Sequence, residues 1–130
     1  TAFATNHDET VESLSYLIEE SGVSMYYCTD TDALPEDTWT GLKMSGLKLD
    51  LLILDHTYGP GADSGGHLTA GRFIQQIQRM KKENLLKAGA KIYATHISHE
   101  GNPPHDEFVK YAAPLGFAVA FDGLVISLSC

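Results

Sequence analysis

A short, almost continuously apolar run in the middle of the chain restricts the folds that this sequence can adopt. The run spans Leu49–Asp55, with the sequence LDLLILD, and both of its alternating sets of side chains are largely apolar. This pattern is typical of a central strand that is covered on both faces. The run is broken by Asp50 and is far too short to cross a bilayer. We therefore predict an interior strand and expect no membrane as a partner.

Strand-like and helix-like patterns alternate along the rest of the chain. Five further segments rich in β-branched, aromatic and apolar residues are predicted as strands: 15–19, 23–29, 91–98, 118–121 and 124–128. Three segments are predicted as helices: a short one that begins at Pro35, 68–86 and 104–115. The turn residues Ser21-Gly22 and Asp122-Gly123 predict two antiparallel hairpins, and Gly89 is expected to end the second helix. The alternation predicts an α/β domain with helices on at least one face of a sheet.

Composition limits the partners of this domain. The chain has 130 residues, which fits one domain, and 17 acidic against 9 basic side chains give a formal net charge of −8. Affinity for nucleic acids depends on cationic contacts with phosphates, so we do not expect nucleic acid as a partner. A bound divalent metal would offset part of the acidity, so a small anionic substrate is compatible with the composition. Cys28 lies in an apolar run and predicts a buried reduced thiol, which suits the cytoplasm.

Ionisable residues stand at the ends of three predicted strands. Asp30 follows the strand 23–29, Asp55 closes the central strand, and His96 follows the apolar start of 91–98. If these strands belong to one sheet, the three side chains can meet at one of its edges. Carboxylates and imidazoles are ligands for zinc, manganese or iron. From these residues alone, a metal site and a set of ordinary strand-end caps are equally good interpretations.

Six short motifs, in this order, resemble those of metallo-β-lactamase-fold hydrolases. They are Asn6-His7, Tyr27-Cys28-Thr29-Asp30-Thr31, Leu52-Ile53-Leu54-Asp55, Gly66-His67-Leu68, Ala94-Thr95-His96-Ile97-Ser98-His99 and Phe121-Asp122-Gly123. The resemblance is closest to the phosphoribosyl 1,2-cyclic phosphate phosphodiesterases and more distant to ribonuclease Z. It covers nearly the whole chain. It implies the C-terminal half of an αββα fold, with a mixed sheet and helices on the outer face of that sheet.

The resemblance also implies a role for each of five residues. Asp30 matches the carboxylate that bridges two divalent metal ions, zinc or manganese, while His7 and His96 match terminal ligands of one ion each. His67 matches the histidine that protonates the leaving group or holds the phosphate, and Asp55 matches the carboxylate that orients this histidine. Without the family, polar turns and strand-end caps would explain the same residues. The sequence leaves the role of His99 open, between a contact with substrate and a backbone hydrogen bond.

The sequence departs from the family in one large respect. It contains no His-x-His-x-Asp-His motif, which in the family supplies most of the metal ligands. Residues 1–130 are therefore expected to be the C-terminal half of a domain and a poor enzyme alone. The complete protein is expected to hydrolyse a small, cyclic phosphodiester through a hydroxide that bridges two metals.

Half of a two-sheet sandwich would expose an apolar sheet face, so we expect the missing half, a companion chain or tight self-association to cover it. Two other functions are compatible with the sequence. One is a non-catalytic binding domain that kept half of the fold. The other is a hydrolase of another substrate class on the same metal residues, such as a thioester or lactone hydrolase or a transfer-RNA processing enzyme.

Overall fold

The computed structural model describes residues 1–128, which contain a mixed six-stranded sheet and three α-helices. The strands are β1 (Ala2–Ala4), β2 (Leu14–Glu20), β3 (Val23–Cys28), β4 (Leu49–Asp55), β5 (Leu86–Thr95) and β6 (Ala118–Val119). The helices are α1 (Glu36–Met44), α2 (Ala70–Lys82) and α3 (His105–Ala112), and a 3-10 turn follows at Ala113–Leu115. Neighbouring strands follow the chain order, with β1 to β3 antiparallel and β3 to β6 parallel. The predicted α/β class is confirmed.

The first predicted hairpin is also confirmed. Ser21 and Gly22 connect β2 to β3 with φ angles of 52° and 82°, and two such left-handed residues give a turn whose twist matches that of the strands. β1, which pairs with β2, was not predicted. The chain after β1 lies beside the end of β3, where the Thr5 hydroxyl donates a hydrogen bond to the backbone oxygen of Asp30. This places His7 at the same end of the sheet as Asp30.

One face of the sheet holds the core. Leu52 and Leu54 of β4 are fully buried on this face, in register with Tyr26 and Cys28 of β3. All three helices contribute buried residues to the same cluster: Trp39 and Leu42 from α1, Phe73, Ile77 and Met80 from α2, and Phe108 and Ala112 from α3. The helices therefore cover a single face, as predicted, and hold the strand ends in place.

The opposite face of the sheet is apolar and incompletely covered. In register across it lie Tyr16, Tyr27, Ile53 and Tyr93, and Tyr16 and Tyr27 are exposed. Such a row on a mixed sheet is the kind of surface that a second layer covers in larger folds.

The second helix is shorter than predicted. It begins after Thr69, whose side chain accepts a hydrogen bond from the backbone N–H of Arg72, and ends at Lys82. Asn84 follows with a φ of 57°. This left-handed conformation ends a helix in the way that glycine often does. The predicted end at residue 86 was wrong because Asn84 stops the helix first.

The following strand begins earlier than predicted. β5 starts at Leu86 and ends at Thr95, whereas the prediction was 91–98. Gly89 does not end the helix but lies inside β5, with a φ of 78°. The pairing of β5 with β4 is irregular around Gly89, because Leu49 pairs with Leu86 whereas Leu51 pairs with Lys91. The extra residues in β5 explain why glycine occurs within a strand.

The second predicted hairpin is wrong. Residues 118–119 form β6, which pairs in parallel with β5, and residues 124–128, all of them described, form no strand. Asp122 and Gly123 do form a turn, closed by a hydrogen bond from the N–H of Leu124 to the oxygen of Phe121. After the turn the chain crosses the second sheet face, where Ile126 and Leu128 lie near Ile18 and Met25. Ile126 and Leu128 are half-buried at this place.

The third predicted helix is confirmed as α3 with its 3-10 extension, and the first as α1, which begins directly after Pro35. Within residues 1–128 no helix has the length and hydropathy needed to cross a membrane.

Candidate metal centre

The carboxyl ends of β3, β4 and β5 bring three of the predicted residues together. Asp30 lies two residues after β3 and His96 directly after β5, and both have positive φ angles, of 50° and 56°. The Nε2 atom of His96 lies 3.1 Å from Oδ1 of Asp30. Asp55 is the last residue of β4, between them in the sheet, and is fully buried. The expectation that these residues meet at one edge of the sheet is confirmed.

Asp55 is held by several hydrogen bonds. Its Oδ2 atom lies 2.9 Å from Nδ1 of His67 and 3.4 Å from the backbone nitrogen of Thr31. Its Oδ1 atom accepts hydrogen bonds from the backbone nitrogen and the hydroxyl of Thr57, at 2.9 and 2.8 Å. A buried carboxylate with this many donors is fixed in position. Asp55 is therefore suited to orient His67 rather than to exchange ligands itself.

Thr57 is a site residue that was not predicted from the sequence. Its hydroxyl oxygen lies 2.8 Å from Nδ1 of His96 as well as 2.8 Å from Asp55. The hydroxyl has one proton, and the carboxylate is the stronger acceptor, so we assign Nδ1–H of His96 as the donor to Thr57 and Thr57 as the donor to Asp55. The Asp-x-Thr order is a local sequence signal for the Asx turn that joins Asp55 to Thr57, but it gives no signal for the contact with His96.

His7 reaches the site from the loop after β1. Its Nδ1 atom lies 2.8 Å from the backbone oxygen of Gly66, which can only accept, so Nδ1 carries the proton. The rings of His7 and His67 lie 4.5 Å apart. Gly66 has a φ of 73°, and a Cβ atom there would lie 2.8 Å from the backbone oxygen of His7. Glycine is required at this position both for its conformation and for the close approach of His7.

The three imidazoles share one arrangement. His7, His67 and His96 each direct Nδ1 to an oxygen acceptor, which leaves Nε2 of each ring available. Histidines that bind metal ions in proteins are usually held in this way. At His96, Nε2 lies 3.1 Å from an oxygen of Asp30, so a metal ion held by His96 would also be within reach of Asp30.

Two overlapping groups of side chains have ligand atoms within 4.8 Å of one another. One group is His7, Asp30 and His67, and the other is Asp55, His67 and His96. His7 and His96 do not share a group, so they lie on different sides of the cluster. Asp30 belongs to the first group and contacts His96 of the second. The donor set therefore fits metal binding with Asp30 between two positions.

The other three histidines lie outside this cluster. His56 is 1% exposed and packs among the rings of Phe73, Phe108 and Phe117. Burial lowers the pKa of its imidazole, so the ring is neutral. His56 therefore belongs to the core and not to the site. His99 and His105 are exposed and line a cleft that begins at His96.

Comparisons with solved structures show the same fold in larger proteins. A diphosphatase of the PhnP family is 27% identical, with a TM-score of 0.70 over 98% of this chain and 42% of that chain. The metallo-beta-lactamase fold protein YhfI from Bacillus subtilis is 22% identical, with a TM-score of 0.66 over 95% of this chain and 46% of that one. Human tRNase Z, short form (ELAC1), is 22% identical, with a TM-score of 0.65 over 99% of this chain and 42% of that one.

The chain thus spans less than half the length of these three proteins. A comparison with curated proteins found no match. The family model described as the Beta-lactamase superfamily domain matches residues 1–97, which include all five predicted site residues and three quarters of the chain. The resemblance seen in the sequence is confirmed, and the chain belongs to the beta-lactamase superfamily.

Proposed function

We propose that the protein is a metal-dependent phosphodiesterase that hydrolyses a small, cyclic phosphodiester. The observation that supports this proposal most directly is the shared orientation of His7, His67 and His96 around Asp30, with Nδ1 bonded and Nε2 available on each ring. Imidazoles whose Nδ1 is bonded and whose Nε2 is available, close to a carboxylate, are the usual arrangement of metal-binding histidines. Similarity to a diphosphatase agrees with phosphate chemistry.

In this proposal Asp30, His7 and His96 would hold the divalent ions, zinc or manganese, with one of the two histidines on either side of Asp30. When bound, the ions would activate water and neutralise charge on the phosphoryl oxygens. His67 protonates the leaving oxygen from Nε2, because Asp55 holds its Nδ1 at 2.9 Å and stabilises the charged ring. Thr57 accepts a hydrogen bond from Nδ1–H of His96 and so favours the ring form whose Nε2 is unprotonated. Each of these residues acts through an atom whose position its neighbours fix.

The chain supplies only part of such a site. His7, Asp30 and His96 are too few ligands for two ions, and the His-x-His-x-Asp-His motif does not occur in the sequence. We propose that residues 1–130 form the C-terminal half of the domain. The other half, on the same or a companion chain, would supply the remaining ligands and cover the exposed row that includes Tyr16 and Tyr27. We place the protein in the cytoplasm, where the buried free thiol of Cys28 would stay reduced.

The test measures phosphodiester hydrolysis by the complete protein with zinc or manganese, before and after chelation. The substrates are bis(4-nitrophenyl) phosphate, which releases nitrophenolate, and cyclic ethylene phosphate, in which an alkoxide is the only possible leaving group. We expect His67→Asn to reduce alkoxide release by about 10²–10⁴-fold and nitrophenolate release much less, because only the poor leaving group needs the proton.

Asp55→Asn should reduce the release of the two leaving groups in the same pattern as His67→Asn, because Asp55 acts through His67. Asp50→Asn is its matched control, since Asp50 lies on the same strand but pairs with Lys87 at the opposite end. Hydrolysis that survives complete removal of metal would refute the proposal. Equal losses with the two leaving groups would refute the role of His67.

A further inference from the structure

Arg72 lies between two of the loops that carry residues of the metal centre. It stands in the first turn of α2, and its Nη1 atom lies 3.2 and 3.1 Å from the two carboxylate oxygens of Asp32 and 3.3 Å from Oδ2 of Asp63. Nη1 carries two protons, so one N–H can donate to each carboxylate. Asp32 follows Asp30 in the loop after β3, and Asp63 precedes His67 in the glycine-rich loop after β4. One guanidinium therefore joins the two loops.

Asp63 continues this connection to His7. Its Oδ2 atom contacts Arg72, while its Oδ1 atom accepts a hydrogen bond from the backbone nitrogen of Gly65 at 3.0 Å. The next residue is Gly66, whose backbone oxygen accepts the hydrogen bond from Nδ1 of His7 at 2.8 Å. The position of the Asp63 carboxylate therefore affects the backbone oxygen that orients the His7 ring.

Asp32 reaches His7 from the other loop. Its backbone N–H donates to the backbone oxygen of Asn6 at 2.6 Å. In return, the backbone N–H of Asn6 donates to the Thr31 hydroxyl at 3.3 Å. Asn6 directly precedes His7, so these bonds fix the backbone from which the ring projects. Arg72 thus contacts both of the segments that hold His7, one at its backbone and the other at its Nδ1 atom.

The stability of the fold is a weak explanation for this arrangement. Ion pairs at the surface contribute little to stability, and the side chains of Arg72 and Asp63 are 39% and 46% exposed. A cation in the first turn of a helix is also disfavoured by the helix dipole, and α2 has no acidic residue in its first turn to offset it. The guanidinium does attract two carboxylates that would otherwise repel each other. Its main contribution is therefore to the separation of the two loops.

We propose that Arg72 is a positioning residue that holds His7 in the metal centre. By keeping Asp32 and Asp63 together, it keeps the His7 backbone and the oxygen of Gly66 at the separation that the Nδ1 hydrogen bond requires. Nε2 of the ring then remains available at the metal centre. Arg72 acts only through these neighbours.

One consequence for metal binding rests on the proposed function. The ion on the His7 side of the site depends on Arg72. The ion on the His96 side does not, because Thr57 orients that ring through a separate contact. Arg72 therefore sets the affinity of one metal position relative to the other.

The ring of His7 reports on this role in the complete protein without metal. At about pH 8, where an ordinary imidazole is uncharged, long-range ¹H–¹⁵N NMR distinguishes the Nδ1–H form from the Nε2–H form. The His7 signal is assigned by its loss in His7→Gln. We expect the Nδ1–H form in the native protein and, in Arg72→Gln, a shift towards the Nε2–H form that free imidazole side chains favour in water. Arg72→Lys, which keeps the charge, should retain more of the Nδ1–H form than Arg72→Gln.

Arg79→Gln is the matched control. Arg79 lies about two turns later on α2 and pairs with Glu36 at 2.6 and 2.7 Å, so its loss removes a comparable ion pair away from the site. We expect the form of the His7 ring to stay as in the native protein. A native Nδ1–H signal in Arg72→Gln, or an equal shift in Arg79→Gln, would overturn the proposal.

Asp63→Asn tests the same connection without altering the helix, and it decides the question if Arg72→Gln does not fold. The amide oxygen can still accept from Gly65, so only the ion pair with Arg72 is removed. Asp63→Asn should shift His7 in the same direction as Arg72→Gln, and the double variant should shift it no further, because the two side chains act as one unit. No change of the His7 ring in Asp63→Asn would count against the proposal.

Calorimetric titration with zinc separates the two metal positions. We expect Arg72→Gln to weaken one of two binding steps by about 10-fold, the lower end of the effect of removing a partner of a metal-binding histidine. That step should be the one that His7→Gln abolishes. Arg79→Gln should leave both steps unchanged. Equal weakening of both steps by Arg72→Gln would contradict a role specific to His7.

The two measurements separate this proposal from the proposed function. A response of His7 to Arg72→Gln in a protein that binds no zinc would support the positioning role and contradict the metal-dependent phosphodiesterase. Zinc binding without any response of His7 would support the metal centre and contradict the positioning role.

Discussion

Replacing Thr57 by valine should disturb the candidate metal centre without changing the shape of the side chain. Thr57 is 5% exposed, and its hydroxyl connects Asp55 to His96 with two contacts of 2.8 Å. Valine leaves Nδ1 of His96 without its acceptor. Asp30, whose oxygen lies 3.1 Å from Nε2, is then the nearest acceptor for a hydrogen bond from the ring. We expect His96 to change to the Nε2–H form, which cannot bind a metal ion through that nitrogen.

The size of the effect follows from the contacts that are lost. A hydrogen bond to a charged acceptor contributes about 1.5–3 kcal/mol, and a buried donor without a partner costs about 1–3 kcal/mol. The two effects share one hydroxyl and do not add fully, so we expect the free energy of unfolding to fall by about 2–4 kcal/mol. Metal affinity should fall by about 10- to 100-fold, as it does when a partner of a metal-binding histidine is removed.

The matched control is Thr57→Ser, which keeps the hydroxyl and removes one methyl group. It should retain the Nδ1–H form of His96 and lose only about 1 kcal/mol. Urea unfolding gives the free energies, and long-range ¹H–¹⁵N NMR of the imidazoles distinguishes the two forms of the ring. If valine and serine behave alike, or if His96 keeps Nδ1–H in the valine variant, the assigned hydrogen-bond order is incorrect.

Further predictions concern other contacts of the site. Gly66→Ala should weaken metal binding more than Gly65→Ala, because both glycines have positive φ but a Cβ atom meets His7 only at position 66; equal metal affinities by calorimetry would refute this. His56→Leu should flatten the loss of stability in acid. Burial lowers the His56 pKa below its usual 6.5, so the unfolded chain binds more protons than the folded one. The stability that the neutral ring contributes is therefore complete above about pH 6.5 and is lost as the pH falls towards the folded-state pKa. Urea unfolding between pH 5 and 8 that shows the same dependence of stability on pH in both proteins would contradict it. Cys28 should react with thiol reagents only on unfolding, since burial raises the pKa of its thiol to about 12; rapid labelling at this position in the folded protein, found by peptide mass mapping, would count against it.

Local sequence patterns were sufficient to predict where the ionisable side chains meet. The apolar run of β4 specified a central strand, and Asp30 and His96 follow its two neighbours in the sheet. Parallel strands place their carboxyl ends at one edge, so the juxtaposition follows from alternation alone. The hairpin at Ser21-Gly22 was predictable for a similar reason, because its turn chemistry is contained in two residues.

Contacts between loops were not predictable in the same way. Thr57 meets His96 across 39 positions of sequence, and His7 meets Gly66 across 59. Such pairs depend on how loops cross after the sheet has formed, and no periodicity encodes them. The wrong hairpin at Asp122-Gly123 has a related cause, since the turn formed but β6 paired with β5 and the chain beyond it lies near Ile18 on the second sheet face.

Metal content of the complete protein is the most direct test of the proposed metal centre. Elemental analysis should find about two zinc or manganese ions per protein, as a two-metal phosphodiesterase requires. Asp30→Ala should lose metal, whereas Asp50→Ala, altered on β4 far from the site, should retain it. Equal metal content in the two variants, or a complete protein that binds no metal, would contradict the assignment of Asp30, His7 and His96 as ligands.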